Sequence, residues 1–415
     1  METVNNISGL GLLRQPSTVL FGTGRRHQIP QLVSDLGSSV LVCTDERMAG
    51  TPECSQLVAG LKARGVEVAI FSETQPDLPR ENIMQVLAAF SSEEIEVVIG
   101  LGGGSCLDMA KTAALMLRYG GDVRDYYGEN QVPGPALPIL TVPTTAGTGA
   151  EISNFAVVFD AERGMKVGVG SAHILPRVAV IDPELTLSCP PGLTAATASD
   201  ALSHLVESFT DRAKNPSSEE LEHHLYVGKN VLTDVYCREG LRLMAQSMGA
   251  VATEPSNLQA RSDVMFAAYC GGMALNTAGT AACHALQAPI GNLTHTAHGF
   301  GVGALLHYVM RFNLPAHIEA FAELSRAVGV FNPDLSELDN AKAGIIRVDE
   351  LLDAVGCPAD LAALGLEQSD IPQVASQALL ATRLTANNPR ALNQEFAEEI
   401  LRRAHSGDRS WWPMA

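Results

Sequence analysis

The sequence predicts an α/β domain over residues 1–185 followed by an all-α domain over residues 186–415. Three observations carry this. Up to about residue 185, short apolar runs rich in Val and Ile alternate with stretches at helical spacing, the pattern of a parallel α/β domain. Beyond residue 186 those runs give way to long helical patterns. No repeat or low-complexity linker separates the two parts, so they are expected to pack closely with a ligand cleft between them.

The elements follow in order. "SSVLVCTD" reads as a strand ending at Asp45, "SQLVAGLKARG" as a helix and "VEVAIF" as the next strand. "IEVVIGLGGGS" runs from a strand into a glycine turn, and "CLDMAKTAALML" continues as a helix. "LPILTVPTTAGTG" is a strand entering a Thr/Gly loop, and "RVAVIDPEL" is the last strand-like run. "TAATASDALSHLVESF", "LQARSDVMFAAYCGGMALNTAG" and "HIEAFAELSRAVGV" read as helices. The polar stretch 215–230 reads as an inserted excursion, and the tail "SGDRSWWPMA" brings two tryptophans able to dock on another surface.

Composition narrows the function. The chain is 46% hydrophobic and 18% charged, which is globular, and its formal net charge of −18 offers no basic footprint for nucleic acid. Eight scattered cysteines without a CxxC pair suit reduced thiols. The first residues lack the pattern of a signal peptide, and no apolar run reaches the about 20 residues of a membrane helix. A soluble, cytoplasmic protein without nucleic-acid or membrane partners is expected.

Candidate chemistry clusters in three places. Gly102, Gly103 and Gly104 lie between a strand and a helix start, where backbone N–H groups and the helix dipole favour a phosphate. The run is not GxGxxG, so a plain tight βα turn is the alternative. Asp45, ending a strand, could bond a ribose hydroxyl. The loop 143–151 stacks Thr144, Thr145 and Thr148 around glycines and suits a phosphate, ribose or amide; it also reads as a capped helix start, with Thr148 as N-cap and Glu151 closing a capping box. In 199–209, Asp200 and His204 stand four apart on one helix face, with Glu207 three further on. His284, His295 and His298 follow in an apolar, glycine-containing region. Imidazoles and a carboxylate could bind Zn²⁺ or Fe²⁺, or form a satisfied core pair; the spacing alone leaves both open.

Taken together, "FGTG" (21–24), "GGGSCLDMAK" (102–111), "PTTAGTGAE" (143–151), "IDPELT" (181–186), "TAATASDALSHLVES" (194–208) and the run from "GGMALNTAG" to "AHG" (271–299) resemble the iron-containing alcohol dehydrogenase family. The resemblance implies a dehydroquinate synthase-like fold, with an N-terminal dinucleotide-binding α/β domain and a helical metal-binding domain. It implies Asp200, His204, His284 and His298 as metal ligands, for Fe²⁺ or Zn²⁺. It carries the pyrophosphate loop onto Gly102, Gly103, Gly104 and Ser105 with Asp108 beside it. Thr144, Thr145, Thr148 and Lys166 match positions lining NAD or NADP, and Asp45 the acid near the adenosine ribose. The implied activity is hydride transfer between NAD(P) and a small primary alcohol or aldehyde, by a homodimer or larger homo-oligomer.

Three departures stand out. The family's further histidine, four residues after the third ligand, is here Ala288, following Gln287, and His295 is the candidate replacement on the proton path. Ala198 replaces the glycine of "TAATGxD", and "GTGSE" reads "GTGAE". The excursion ending at 226–234 adds about 15 residues, a length loops tolerate. The insertion and the missing histidine are similar to the hydroxyacid-oxoacid transhydrogenase branch, the 4-hydroxybutyrate type, which makes that activity the alternative. A dehydroquinate synthase-like lyase is a third reading, and a nucleotide-binding relic without turnover a fourth.

Overall fold

A computed structural model describes residues 9–413. The strands are β1 (Thr18–Phe21), β2 (Ser39–Cys43), β3 (Glu67–Phe71), β4 (Val97–Gly102), β5 (Gly128–Glu129), β6 (Ile139–Pro143), β7 (Phe155–Asp160), β8 (Met165–Gly170) and β9 (Val178–Ile181). The helices of ten residues or more are α1 (Pro52–Lys62), α2 (Arg80–Phe90), α3 (Gly104–Tyr119), α4 (Pro191–Thr210), α5 (Val231–Thr253), α6 (Leu258–Leu275), α7 (Ala282–Thr294), α8 (His298–Asn313), α9 (Ile318–Ala327), α10 (Glu337–Val355) and α11 (Gln394–Ser406).

Six strands form one parallel sheet in the order β1-β9-β6-β4-β2-β3. Its central strands β9, β6 and β4 are buried at every position, and nearly all apolar, because both faces are covered. Val40, Val42, Val97 and Ile99 pack into one core, whereas Leu41, Cys43 and Val98 pack into the other. A second sheet, β5-β8-β7, joins β7 and β8 as an antiparallel hairpin. The prediction contained neither that hairpin nor β1. Among the described residues every labelled strand lies before residue 182, so the chain beyond is helical as expected.

The described chain divides into two compact units. One contains residues 14–198 and 250–272; the other contains residues 9–13 and 199–249 with the described chain from 273 onward. The segment that holds most of α6 thus groups with the sheet. Ordinary local signals set the helix ends. Ser336 caps α10 by accepting from the Asp339 N–H, and Gly356 ends it at φ 82°. Asn393 caps α11 by accepting from the Phe396 N–H, and Gly407 ends it at φ 69°.

The inserted excursion contains a short helix, Ser218–His223, opened by a Ser217/Glu220 capping box. The tryptophan tail docks within its own unit. Arg311 lies over the Trp412 ring at 4.6 Å and Arg403 near the Trp411 ring at 5.8 Å. No helix among the described residues is long and apolar enough to cross a membrane.

Candidate metal centre and nucleotide loops

In the sheet-containing unit, β4 and β6 are neighbours in register, Gly102 opposite Pro143, so their C-terminal loops emerge side by side. Open parallel sheets bind ligands at these strand ends. Gly102 has φ +150°, and a Cβ there would stand 2.6 Å from the Cys106 Sγ. Gly103 faces Thr145, and a Cβ on Gly104 would stand 2.8 Å from the Thr148 Cγ2. Gly104 is therefore required by the close approach of two loops and Gly102 by its positive φ and its approach to Cys106, whereas Gly103 has ordinary room. Helix α3 then starts with neither a side-chain cap nor an acid in its first turn, where Ser105 is half-buried. Its leading N–H groups suit an anion.

Asp45 reaches the same turn. Its Oδ1 accepts from the Met48 N–H at 2.7 Å, and its Oδ2 accepts from the Cys106 thiol at 3.7 Å. The buried Thr144 donates its N–H to the Gly102 carbonyl at 2.9 Å, while its Oγ1 is buried without a hydrogen-bond partner. That orphaned hydroxyl and the glycine cradle fit a polar ligand such as a nucleotide.

Two of the expected nucleotide residues have protein partners of their own. Asp108 accepts from Lys111 Nζ at 3.0 Å and from the Val157 N–H at 2.9 Å. Lys111, fully buried, also donates to Ser153 Oγ and the Phe155 carbonyl. This buried pair ties α3 to the β7–β8 hairpin, and burial raises the Asp108 pKa despite Lys111. Lys166, on β8, pairs with Asp77 at 2.6 Å.

The capped helix start at Thr148 does not form. Thr148 Oγ1 accepts from the Ala150 N–H at 3.2 Å, and the chain turns toward β7. Gly149 adopts φ +65°, which a helix cannot use, and a Cβ there would stand 2.5 Å from the Gly272 Cα. Close backbone packing overrides the local capping signal.

In the helical unit, α4 presents Asp200 and His204 from consecutive turns, α7 contributes His284 near its start, and His298 opens α8. Three imidazoles converge on one carboxylate oxygen. Asp200 Oδ1 lies 3.6 Å from His204 Nε2, 3.7 Å from His284 Nε2 and 3.6 Å from His298 Nε2. The His204 and His284 rings stack, with centroids 4.8 Å apart. Asp200 Oδ1 and His284 Nε2 are buried without hydrogen-bond partners. Leaving such atoms bare is costly unless a ligand completes them. Donors held about 2.1 Å from one tetrahedral ion stand roughly 3.4 Å apart, so this cluster has the size and chemistry of a divalent metal site.

Glu207, one turn beyond His204, is the residue whose role sequence reasoning missed. Its Oε2 accepts from His284 Nδ1, and its Oε1 accepts from the Cys283 N–H at 2.7 Å. It caps α7 from another helix and keeps the His284 Nδ1 proton engaged, so that Nε2, facing Asp200, is the nitrogen left to bind an ion once it gives up its own proton. Burial opposes charge on His284, but Glu207 and Asp200 outweigh it and lift its pKa to about 9. Burial also opposes charge on Asp200, yet His204, His298 and His284 hold it far below the usual carboxylate range. Asp211, a turn further on, is fully buried; both its oxygens lack hydrogen-bond partners, and burial, then Glu207, push its pKa well up.

The profile of the iron-containing alcohol dehydrogenases matches residues 16–183, and that of the family's C-terminal domain matches residues 194–405. The chain belongs to the iron-containing alcohol dehydrogenase family. It is 32% identical over 370 residues to the 1,3-propanediol dehydrogenase of Klebsiella pneumoniae, covering 89% of this chain and 92% of that protein. It is 28% identical over 390 residues to the NAD-dependent methanol dehydrogenase of Bacillus methanolicus, covering 94% and 98%. Among solved structures, a 1,3-propanediol oxidoreductase superposes with a TM-score of 0.89 at 31% identity, covering 95% of this chain and 100% of that one. As a member of this family the chain is an oxidoreductase acting on alcohols. Its fold is the family's, a parallel-sheet α/β domain followed by a helical one.

Two family positions read differently here. Gln287, in the register before Ala288, is 1% exposed with an unpartnered Oε1, and Gly301 makes room for it: a Cβ there would stand 1.7 Å from that oxygen. His295 is exposed and ends α7 in the left-handed conformation at φ 52°. The conformation gives it a chain-reversing job at the helix C-terminus.

Proposed function

We infer that this enzyme is a metal-dependent, NAD(P)-linked alcohol dehydrogenase or aldehyde reductase for a small primary alcohol or aldehyde. The observation that carries the reading is the convergence of three histidine nitrogens on Asp200 Oδ1, with buried atoms left bare. Asp200, His204, His284 and His298 would hold the ion, Fe²⁺ by family membership and Zn²⁺ by donor chemistry. Gly102 to Ser105, Thr144, Thr145, Thr148 and Asp45 would hold the nucleotide, NAD by likeness to the NAD-dependent methanol dehydrogenase. Bound there, the ion and the nicotinamide supply charge stabilisation at an alcohol oxygen and hydride exchange.

The chain's own part is placement and charge. Asp200 contributes a carboxylate among three imidazoles, which lowers the net positive charge of the filled centre. Glu207 holds one histidine with its Nε2 facing inward, so a loaded site needs loss of a proton and little other rearrangement. Ala288 provides no proton-relaying group at the family's usual position. His295 remains the candidate relay in this proposal, and its exposure supports exchange with solvent.

Ala288 and the inserted segment also favour one alternative, the hydroxyacid-oxoacid transhydrogenase. A single experiment separates the readings: purify the chain anaerobically, measure bound metal, and follow NADH and NADPH oxidation against an aldehyde panel with and without Fe²⁺. Metal near one per chain with aldehyde-dependent oxidation supports the dehydrogenase. Turnover of 4-hydroxybutyrate with 2-oxoglutarate, without added nucleotide, replaces it with the transhydrogenase.

A further inference from the structure

A small cavity in the sheet-containing unit is lined by none of the metal ligands and by none of Thr144, Thr145 and Thr148. Ala146, Cys189, Thr194, Thr197, Arg261 and Val264 are among its walls, and its volume of about 10 Å³ admits one water-sized group. Arg261, on α6, is 3% exposed. Its Nη1 donates to Thr194 Oγ1 at 2.9 Å and its Nε to the Pro255 carbonyl at 3.0 Å, but its Nη2 is buried with no acceptor. No carboxylate pairs with this guanidinium among the described residues. Burial lowers its pKa, and the Cys189 thiol is the one titratable side chain acting against that.

The surroundings are positive as well. Thr194 and Thr197 belong to the first two turns of α4, a 20-residue helix whose dipole presents its positive end here. Arg47 and Arg261 both act on Cys189, whose thiol hydrogen is directed to the Thr144 carbonyl at 3.2 Å. A water molecule would satisfy the Nη2 hydrogen and leave the buried charge uncompensated, a costly arrangement. An anion meets both needs.

We propose that this cavity is a halide site: one chloride-sized anion, held by Arg261 beside the first turns of α4, ties the Ala146 flank of the Thr/Gly loop to that helix. One negative charge matches the single buried guanidinium of Arg261.

The test uses the full chain grown in crystals containing sodium bromide, with anomalous diffraction collected at the bromine edge. A bromide peak in the cavity beside Arg261 is expected. A cavity that holds only water in saturating bromide overturns the proposal. In solution, replacing gluconate by chloride at equal ionic strength should raise Tm by about 2–4 °C and saturate. Val264→Leu, which adds a methylene to the cavity wall, should abolish that increment, as should Arg261→Gln. An increment of unchanged size in Val264→Leu assigns the effect to general salt action and also overturns the site. The bromide experiment needs no variant, so a misfolded Arg261→Gln leaves the test intact.

Discussion

The helical unit holds two buried histidine–carboxylate clusters, and they are finished in opposite ways. Around His307 the polar valences close. Nδ1 donates to Asp349 Oδ1 at 2.7 Å, Nε2 accepts from Arg409 Nη2 at 3.1 Å, and Arg311 donates to the other oxygen of Asp349 at 2.6 Å. Because arginine only donates, His307 is neutral with its proton on Nδ1. Around Asp200, three histidines face one oxygen, and two of the buried atoms carry no partner. Burial lowers the His307 pKa, whereas the carboxylates beside His284 raise its pKa to about 9. The difference teaches that a buried histidine beside an aspartate is no evidence of chemistry. What marks a site is the valence the protein leaves open.

The largest effects should come from opening the metal cluster further. Asp200→Ala is expected to lower metal affinity by more than 100-fold and to reduce turnover to near background, read by metal content after dialysis and by NADH oxidation. Glu207→Gln should keep the fold and weaken metal binding by about 10- to 100-fold, since it disturbs only the orientation of His284 and the start of α7. A Glu207→Gln protein with unchanged metal affinity would remove Glu207 from the centre.

Next comes the closed cluster. His307→Ala should destabilise the protein by about 1–3 kcal/mol in urea titration, because it strips partners from Asp349 and Arg409. Metal stoichiometry should not change. Loss of metal in that variant would break the distinction between the clusters.

The two clusters should also answer pH with opposite signs of proton traffic. Glu207 and Asp200 raise the His284 pKa to about 9 in the metal-free protein, so metal uptake at pH 7–8 is expected to release a proton. Affinity should therefore fall by up to about tenfold per unit as pH drops below that value. His307 has a folded pKa below its reference of 6.5, so it favours folding while neutral. Its contribution is lost as pH falls below 6.5, and folding stability should decline there, less so in His307→Ala.

The smallest effect concerns Asp211, whose pKa burial and then Glu207 raise, so the folded state disfavours its charged form. Its contribution turns unfavourable as pH rises above the ordinary aspartate range. Asp211→Asn should stabilise the protein at pH 8 by about 1–2 kcal/mol, and by less at pH 5.

Much of this was legible in the sequence, for identifiable reasons. The central parallel strands are legible because burial on both faces makes them nearly all apolar, whereas the partly exposed edge strand β1 is not. Asp200 and His204 stood out because a four-residue step puts two polar groups on one helix face. Glu207 lies on that same face, but its partner His284 is 77 residues away, a pairing no periodicity can reveal. The β7–β8 hairpin is hard to read because β8 is mostly half-exposed, with Met165 on the surface, and pairs with the distant two-residue β5. The Thr148 capping signal misled because a close approach between Gly149 and Gly272 decides that backbone. Lys111 was passed over because a lysine sealed under a hairpin looks, in sequence, like any other helical lysine.

The central claim is that the open valences around Asp200 are a metal site completed through Glu207. Calorimetric titration of the metal-free full chain with Zn²⁺, in two buffers of different ionisation enthalpy at pH 7.5, tests it most directly. One ion per chain, release of about one proton, and loss of both signals in Asp200→Ala are expected. Binding without proton release, or binding that survives Asp200→Ala unchanged, would contradict it.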